Sequence, residues 1–350
     1  MDENADILCE TRGAAGFVTL HRPRALNALN LGMVREMMRA LESWEHDPGV
    51  TRVVVTGAGE KAFCAGGDIR HLTELGKAGR REEALEFWRE EYRLNALIKR
   101  YGKPYVSLID GIVMGGGVGV SLHGSHRVAG DRYLFAMPEV GIGFFPDVGA
   151  TYALPRLPGA TGMYIALTGE RIRRADAVML GLATHAVASG RIEELREALC
   201  DGAPVDEILG DRAIFSEAAP LTAHRDLIDS CFSGESVEAV LERLDRKAQE
   251  GSDFAAGLAG AIRTKSPTSL KIAFEQVRRG RALDFTDAMK TEFRIVSRII
   301  GGQDFYEGVR ATLIDKDGKP HWRPSSLDAV DKAAIDEYFA NLGAGELEIS

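Results

Sequence analysis

Residues 137–149 read MPEVGIGFFPDVG and set two acids, Glu139 and Asp147, eight positions apart in a run otherwise made of apolar residues, glycine and proline. An ionised carboxylate in such surroundings costs several kcal/mol unless it is paired, solvated or used chemically. Asp147 follows Pro146 at the expected start of a helix, where orphan backbone N–H groups and the helix dipole favour a carboxylate, so cap and catalyst are equally good readings of it. Glu139 is harder to read as structural, because no basic residue stands inside the segment to pair with it; a distant partner is the alternative to chemistry. Two further glycine-rich turns, residues 63–68 (FCAGGD) and 114–119 (MGGGVG), fall at expected strand ends. Glycine lets a backbone approach a ligand closely and aim N–H groups at it. Two such groups converging on one oxygen would form an oxyanion hole, the largest usual contribution to acyl-transfer catalysis, although each turn alone reads first as a tight strand-to-helix connection.

Other glycine-rich readings fail on spacing. Gly115 and Gly117 would need a glycine at 120, where Val120 stands, so no dinucleotide fingerprint registers, and no P-loop or GxSxG elbow occurs. His123 and His126 lack a third ligand and read as ordinary helix residues. Cys9, Cys64, Cys200 and Cys231 show no CxxC spacing, so neither a zinc ribbon nor a disulfide framework is expected, and no metal is assigned. Residues 80–91, RREEALEFWREE, read as a charge-laced helix with a solvated face.

The elements that must position these residues alternate. GFVTLHRP and VTRVVVTGAG read as strands around an amphipathic helix, NLGMVREMMRALESWEHD; PYVSLIDGIVMGGG and HRVAGDRYLFAMPEV return as strands, and GATYALPRL begins a helix. After Ser189 the segments become charged and helix-patterned, which predicts an α/β region at 1–189 and a helical region at 190–350 packed on it. Lys plus Arg number 43 against 52 Asp plus Glu, a net charge of -9, which argues against a general nucleic-acid or anionic-membrane binder. No run of about 18 apolar residues exists to span a bilayer. The acidic start MDENADILCE lacks the marks of a signal or transit peptide, and a cytoplasmic location is expected.

KAFCAGGDIR (61–70), GIVMGGGVGVSLHG (111–124) and FAMPEVGIGFFPDVGATYALPRL (135–157) together resemble the enoyl-CoA hydratase/isomerase (crotonase) superfamily, and within it the 3-hydroxyisobutyryl-CoA hydrolase subgroup. IALTGERI, GLATHAV, SPTSLKI and DFYEGVRATLIDKDGKPHW extend the resemblance over roughly residues 8 to 340. It implies a core of repeated ββα units with a helical C-terminal region, and hydrolysis of a short-chain 3-hydroxyacyl-CoA thioester in valine degradation. It assigns oxyanion-hole N–H groups to Gly67 and Gly116, catalytic roles to Glu139 and Asp147, and a substrate contact to Glu91. The first catalytic Glu of hydratases falls at Gly119, so the hydratase pair is broken. Arg24 and Arg70 stand near loops that contact coenzyme A in the family and are candidate phosphate partners, with surface ion pairs as the alternative. Coenzyme A enters as part of the substrate and no cofactor is implied; homo-oligomers are frequent in the superfamily. An enoyl-CoA isomerase or hydratase, and a non-catalytic acyl-CoA-binding protein, are the competing readings.

Overall fold

The computed structural model describes residues 5–210, 213 and 218–349. The chain forms two compact units: residues 1–68, 90–136 and 171–220 make the first, and residues 69–89, 137–170 and 221–350 the second. Ser189 and Gly190, where the sequence pattern suggests a change of region, both lie in the first unit.

The first unit is built on two sheets. β1 (Ile7–Arg12), β2 (Ala15–Leu20), β3 (Arg52–Gly57), β5 (Tyr105–Ile109), β7 (His126–Ala129) and β10 (His185–Ala186) form a six-stranded sheet in the order β1-β2-β3-β5-β7-β10. β4 (Ala62–Cys64), β6 (Ile112–Met114), β8 (Leu134–Ala136) and β9 (Ile172–Arg173) form a smaller sheet in that order. β1 and β2 pair as an antiparallel hairpin, while β2, β3, β5, β7 and β10 run parallel. A parallel strand covered on both faces is apolar along its whole length, and Val53, Val54 and Val55 of β3 are each buried. One face of the sheet presents Ala15, Phe17, Val54, Val106, Leu108 and Val128 to a cluster completed by Leu195, Leu199, Val205, Ile208 and Leu209. The helix Leu31–His46 buries Met33, Val34, Met37, Leu41 and Trp44, and Asn30 caps it by accepting from the Met33 N–H.

The strands repeat a pattern. β3 leads to β4, β5 to β6 and β7 to β8; each time the first strand joins the large sheet and the second the small one. HRVAGDRYLFAMPEV is therefore two strands in two sheets. Because β4, β6 and β8 are parallel neighbours, the turns after Cys64 and Met114 leave the same end of the small sheet side by side.

The second unit is helical. Every residue of the helix Thr161–Thr168 is buried; Arg225–Phe232, Asp253–Arg263 and Pro267–Gly280 pack against it, and Val237–Gln249 and Phe285–Ile299 belong to the same unit. Four of these start at a side chain that accepts a backbone N–H from the first turn: Ser236, Ser252, Ser266 and Asp284. The Trp88 ring stacks on Phe144 at 5.7 Å between centroids and meets the edge of Phe305, and Phe144 contacts Phe145 at 4.8 Å. This aromatic cluster packs the apolar part of the segment that opens at Met137. Among the described residues no helix is long and apolar enough to cross a membrane.

Candidate active site

In the first unit the turn after β4 is laid against Leu29 as an isolated parallel bridge. The Leu29 N–H donates to the Gly66 carbonyl at 2.8 Å and its carbonyl accepts from the Asp68 N–H at 2.8 Å. In a parallel bridge these bonds use the groups flanking Gly67, so the Gly67 N–H faces the other way. Arg22 fixes the turn from the side, bonding Asp68 Oδ2 at 3.0 Å and the Ala28 carbonyl at 2.7 Å. Asn27, fully buried and at φ 57°, donates to the Ala58 and Ala62 carbonyls at 2.9 Å and so ties this loop to β4.

The turn after β6 enters the short helix Gly116–Gly119 through Gly115 at φ 45°. The first N–H groups of a helix have no partner within it, and Gly116 occupies that position. A β-carbon at Gly116 would stand 2.6 Å from Glu91 Oε1 and 3.3 Å from the carbonyl carbon of Gly66, the atom bonded to the Gly67 nitrogen. Gly67, Gly116 and the Glu91 carboxyl thus share one place, and only glycine fits at 116. Glu91 is 2% exposed, so the solvated face expected for residues 80–91 holds for Arg80 and Glu83 but not for it. The neighbouring Cys64 thiol is no nucleophile: burial pushes it up to about 12, and it donates to the Gly66 carbonyl.

In the second unit Glu139 opens a 3-10 turn, Glu139–Ile142, which follows β8 instead of continuing it. It is 7% exposed and its Oε2 has no hydrogen-bond partner among the described residues. Burial first, and then the charge of Asp147, push this carboxyl well above the ordinary 4.5. A buried acid held in that way is a strong proton acceptor once ionised.

Asp147 is also buried, but it is not the N-cap residue of a helix. The following helix, Ala150–Ala153, has Gly149 at its N-cap, which has no side chain to cap it. Glu292 does that work from the helix Phe285–Ile299: its Oε2 accepts from the Gly149 N–H at 2.8 Å and its Oε1 from the Thr151 N–H at 2.9 Å. Gln276 donates to the Pro146 carbonyl and, at 2.7 Å, to the Thr151 hydroxyl. Burial and then the Asp147 charge raise the Glu292 carboxyl to about 8, against the two N–H bonds that pull it down. Sequence reading missed Glu292 and Gln276, since their targets lie more than a hundred positions away and TEFRIVSR gives only the pattern of a buried helix face.

Arg24 is exposed on the 3-10 turn Pro23–Ala25. Arg70 is exposed and donates to the Leu313 carbonyl. His126 begins β7, and His123 lies in the turn before it, so neither is a helix residue. Among the described residues no three His, Cys, Asp or Glu side chains gather in a way that could hold a metal ion.

The family model described as "Enoyl-CoA hydratase/isomerase" matches residues 15–339. A protein named "3-hydroxyisobutyryl-CoA hydrolase, mitochondrial" from Xenopus tropicalis is 47% identical over 99% of this chain and 92% of its own length. Two crystal structures are similar throughout. One, titled a carnitinyl-CoA dehydratase from Mycobacterium thermoresistibile, has 44% identity and a TM-score of 0.93, with 99% of both chains covered. The other, titled an enoyl-CoA hydratase from Rhodobacter sphaeroides, has 39% identity and a TM-score of 0.89 over 99% of this chain and 100% of that one. The cytoplasmic location expected from the sequence is corrected by these findings: the Xenopus relative is mitochondrial by name. The expectation rested only on the composition of the first residues, whereas a compartment is set by an address that a receptor reads. With the ββα repeats, the two glycine turns and relatives matching nearly end to end, the chain belongs to the enoyl-CoA hydratase/isomerase family.

Proposed function

We propose that the chain hydrolyses a short-chain 3-hydroxyacyl-CoA thioester, 3-hydroxyisobutyryl-CoA to 3-hydroxyisobutyrate and coenzyme A, as the name of the Xenopus relative indicates. The observation that carries this reading is Glu139, a buried carboxyl whose Oε2 has no hydrogen-bond partner among the described residues and whose proton affinity is raised. In this scheme the Gly67 and Gly116 N–H groups take the charge that develops on the thioester oxygen, each such donor being worth about 3 kcal/mol of barrier. Ionised Glu139 removes a proton from water as the water oxygen bonds to the carbonyl carbon. The tetrahedral intermediate then expels the coenzyme A thiolate, which takes that proton back from Glu139. Attack by Glu139 itself, giving an acyl anhydride that water cleaves, uses the same groups. Asp147 orients the water or the substrate hydroxyl, and Glu91 contacts the acyl group beside Gly116. Arg24 is the phosphate partner for coenzyme A; Arg70 uses one donor on Leu313 and keeps others. Neither route calls for a metal or redox cofactor, and a role in valine degradation goes with this substrate.

The titles of the two similar crystal structures favour a second reading, addition or loss of water at a double bond. Against it stands Gly119, which has no side chain where the resemblance puts the first acid of hydratases. Free thiol released from a panel of 3-hydroxyacyl-, enoyl- and saturated acyl-CoA esters separates the two. Thiol release from 3-hydroxyisobutyryl-CoA that falls at least 100-fold in Glu139→Gln supports hydrolysis. Hydration without thiol release, or a wild-type rate in that variant, refutes it.

A further inference from the structure

Asp147 is followed by two residues in the left-handed region, Val148 at φ 53° and Gly149 at φ 91°. Glycine takes that conformation freely, but for a β-branched residue it costs about 1–2 kcal/mol, so the turn persists only if its surroundings impose it. The four-residue helix that follows is too short to impose anything. Two side chains from the helices Pro267–Gly280 and Phe285–Ile299 do so. Gln276 holds the carbonyl just before Asp147, and Glu292 holds the N–H groups two and four residues after it.

We infer that Glu292 is a positioning residue of the reaction: by binding the Gly149 and Thr151 N–H groups with its two oxygens, it holds the strained Val148 turn and so aims the Asp147 carboxyl. A carboxyl, ionised or protonated, keeps a lone pair on each oxygen for the two N–H groups; glutamine does not, because its NH2 is a donor only and would face one of the N–H donors. Glu292 is fully buried. The groups that face it are the Asp147 carboxyl and the neutral N–H and hydroxyl groups of Gly149 and Thr151. Asp147 acts in turn on Glu139, so the gain or loss of the Glu292 proton near pH 8 reaches the base through Asp147. A merely structural cap would hold the turn and leave the titration of the site alone.

This inference rests on Asp147 and Glu139 being the reacting acids, and its test has one arm that needs no turnover. In Glu292→Gln the Gly149 and Thr151 amides should exchange hydrogen at least 10-fold faster than in the wild type, read on the substrate-free protein; unchanged exchange overturns the inference whatever the enzyme does. In thiol release, Glu292→Gln should lose 10- to 100-fold in kcat with KM within about twofold, and should lack the inflection near pH 8 that the wild-type log kcat profile is expected to have. Equal loss in kcat and KM with an unchanged profile overturns it. Gln276→Met, which frees the Pro146 side of the loop without changing charge, should lower kcat and keep the inflection. It stands in if Glu292→Gln does not fold, and wild-type kcat in that variant likewise overturns the inference. A wild-type enzyme that releases no thiol refutes the proposed function and leaves the exchange arm to decide the role of Glu292 in the turn.

Discussion

Raising pH should weaken the fold, and Glu292 should account for a measurable part. Its carboxyl titrates at about 8 in the folded protein against an ordinary 4.5. Between those values the folded state holds a proton that the unfolded chain has released. The sign follows: the contribution of this group is fully present below pH 4.5 and is lost as pH rises toward 8, at about 1.4 kcal/mol per pH unit. Glu139, also raised, acts in the same direction. His185, lowered by burial from 6.5, acts in the opposite direction but only below pH 6.5. Glu307, held down to about 2 chiefly by its bonds to Arg310, acts only below the ordinary carboxylate value. The interval from pH 6.5 to 8 therefore isolates the raised acids, and over it Glu292 alone should cost about 2 kcal/mol. Urea midpoints measured at both pH values for wild type and Glu292→Gln read this directly. The wild type should lose about 2 kcal/mol more than the variant, which keeps only the share of Glu139. Equal losses in the two proteins would refute the claim that Glu292 enters the fold protonated.

Gly116→Ala should keep the fold and cut thiol release by 10- to 1000-fold, since its β-carbon would stand 2.6 Å from Glu91 Oε1 and push that acid and the Gly116 N–H out of place; a steady-state assay on folded protein checks it. Trp88→Ala should cost about 3–5 kcal/mol by urea denaturation, because the ring is fully buried between Phe87, Phe144 and Phe305.

The parts of the site that were legible in the sequence are those whose function leaves a local trace. Gly116 sits in a run of glycine, where a β-carbon would meet Glu91 and the Gly66 carbonyl carbon, and Glu139 stands out as an acid in an apolar segment with no local base. What failed to show is what depends on distant residues. Asp147 looks like a cap because the only visible N–H groups are its neighbours; the acid that binds those groups is Glu292, 143 positions from Gly149. Glu91 shares a charged helix with Arg80 and Glu83, and nothing in the pattern says which turn of that helix meets Gly116. HRVAGDRYLFAMPEV reads as one strand because alternation reports burial, not the sheet a strand joins; the break falls at Gly130, where any side chain would collide with Asp110.

The cluster that covers the six-stranded sheet has a consequence for synthesis on the ribosome. Ala15 and Phe17 leave the tunnel early, yet Val205, Ile208 and Leu209, which cover them, come about 190 residues later. At 5–20 residues per second that is roughly 10–40 s during which β2 and then β3 present apolar faces with no lid. Parallel pairing over such separations is also slow to form. The nascent chain is thus a natural client for a chaperone that shields extended apolar strands, until the segment through Gly210 has emerged and the sheet can close over its own first strands.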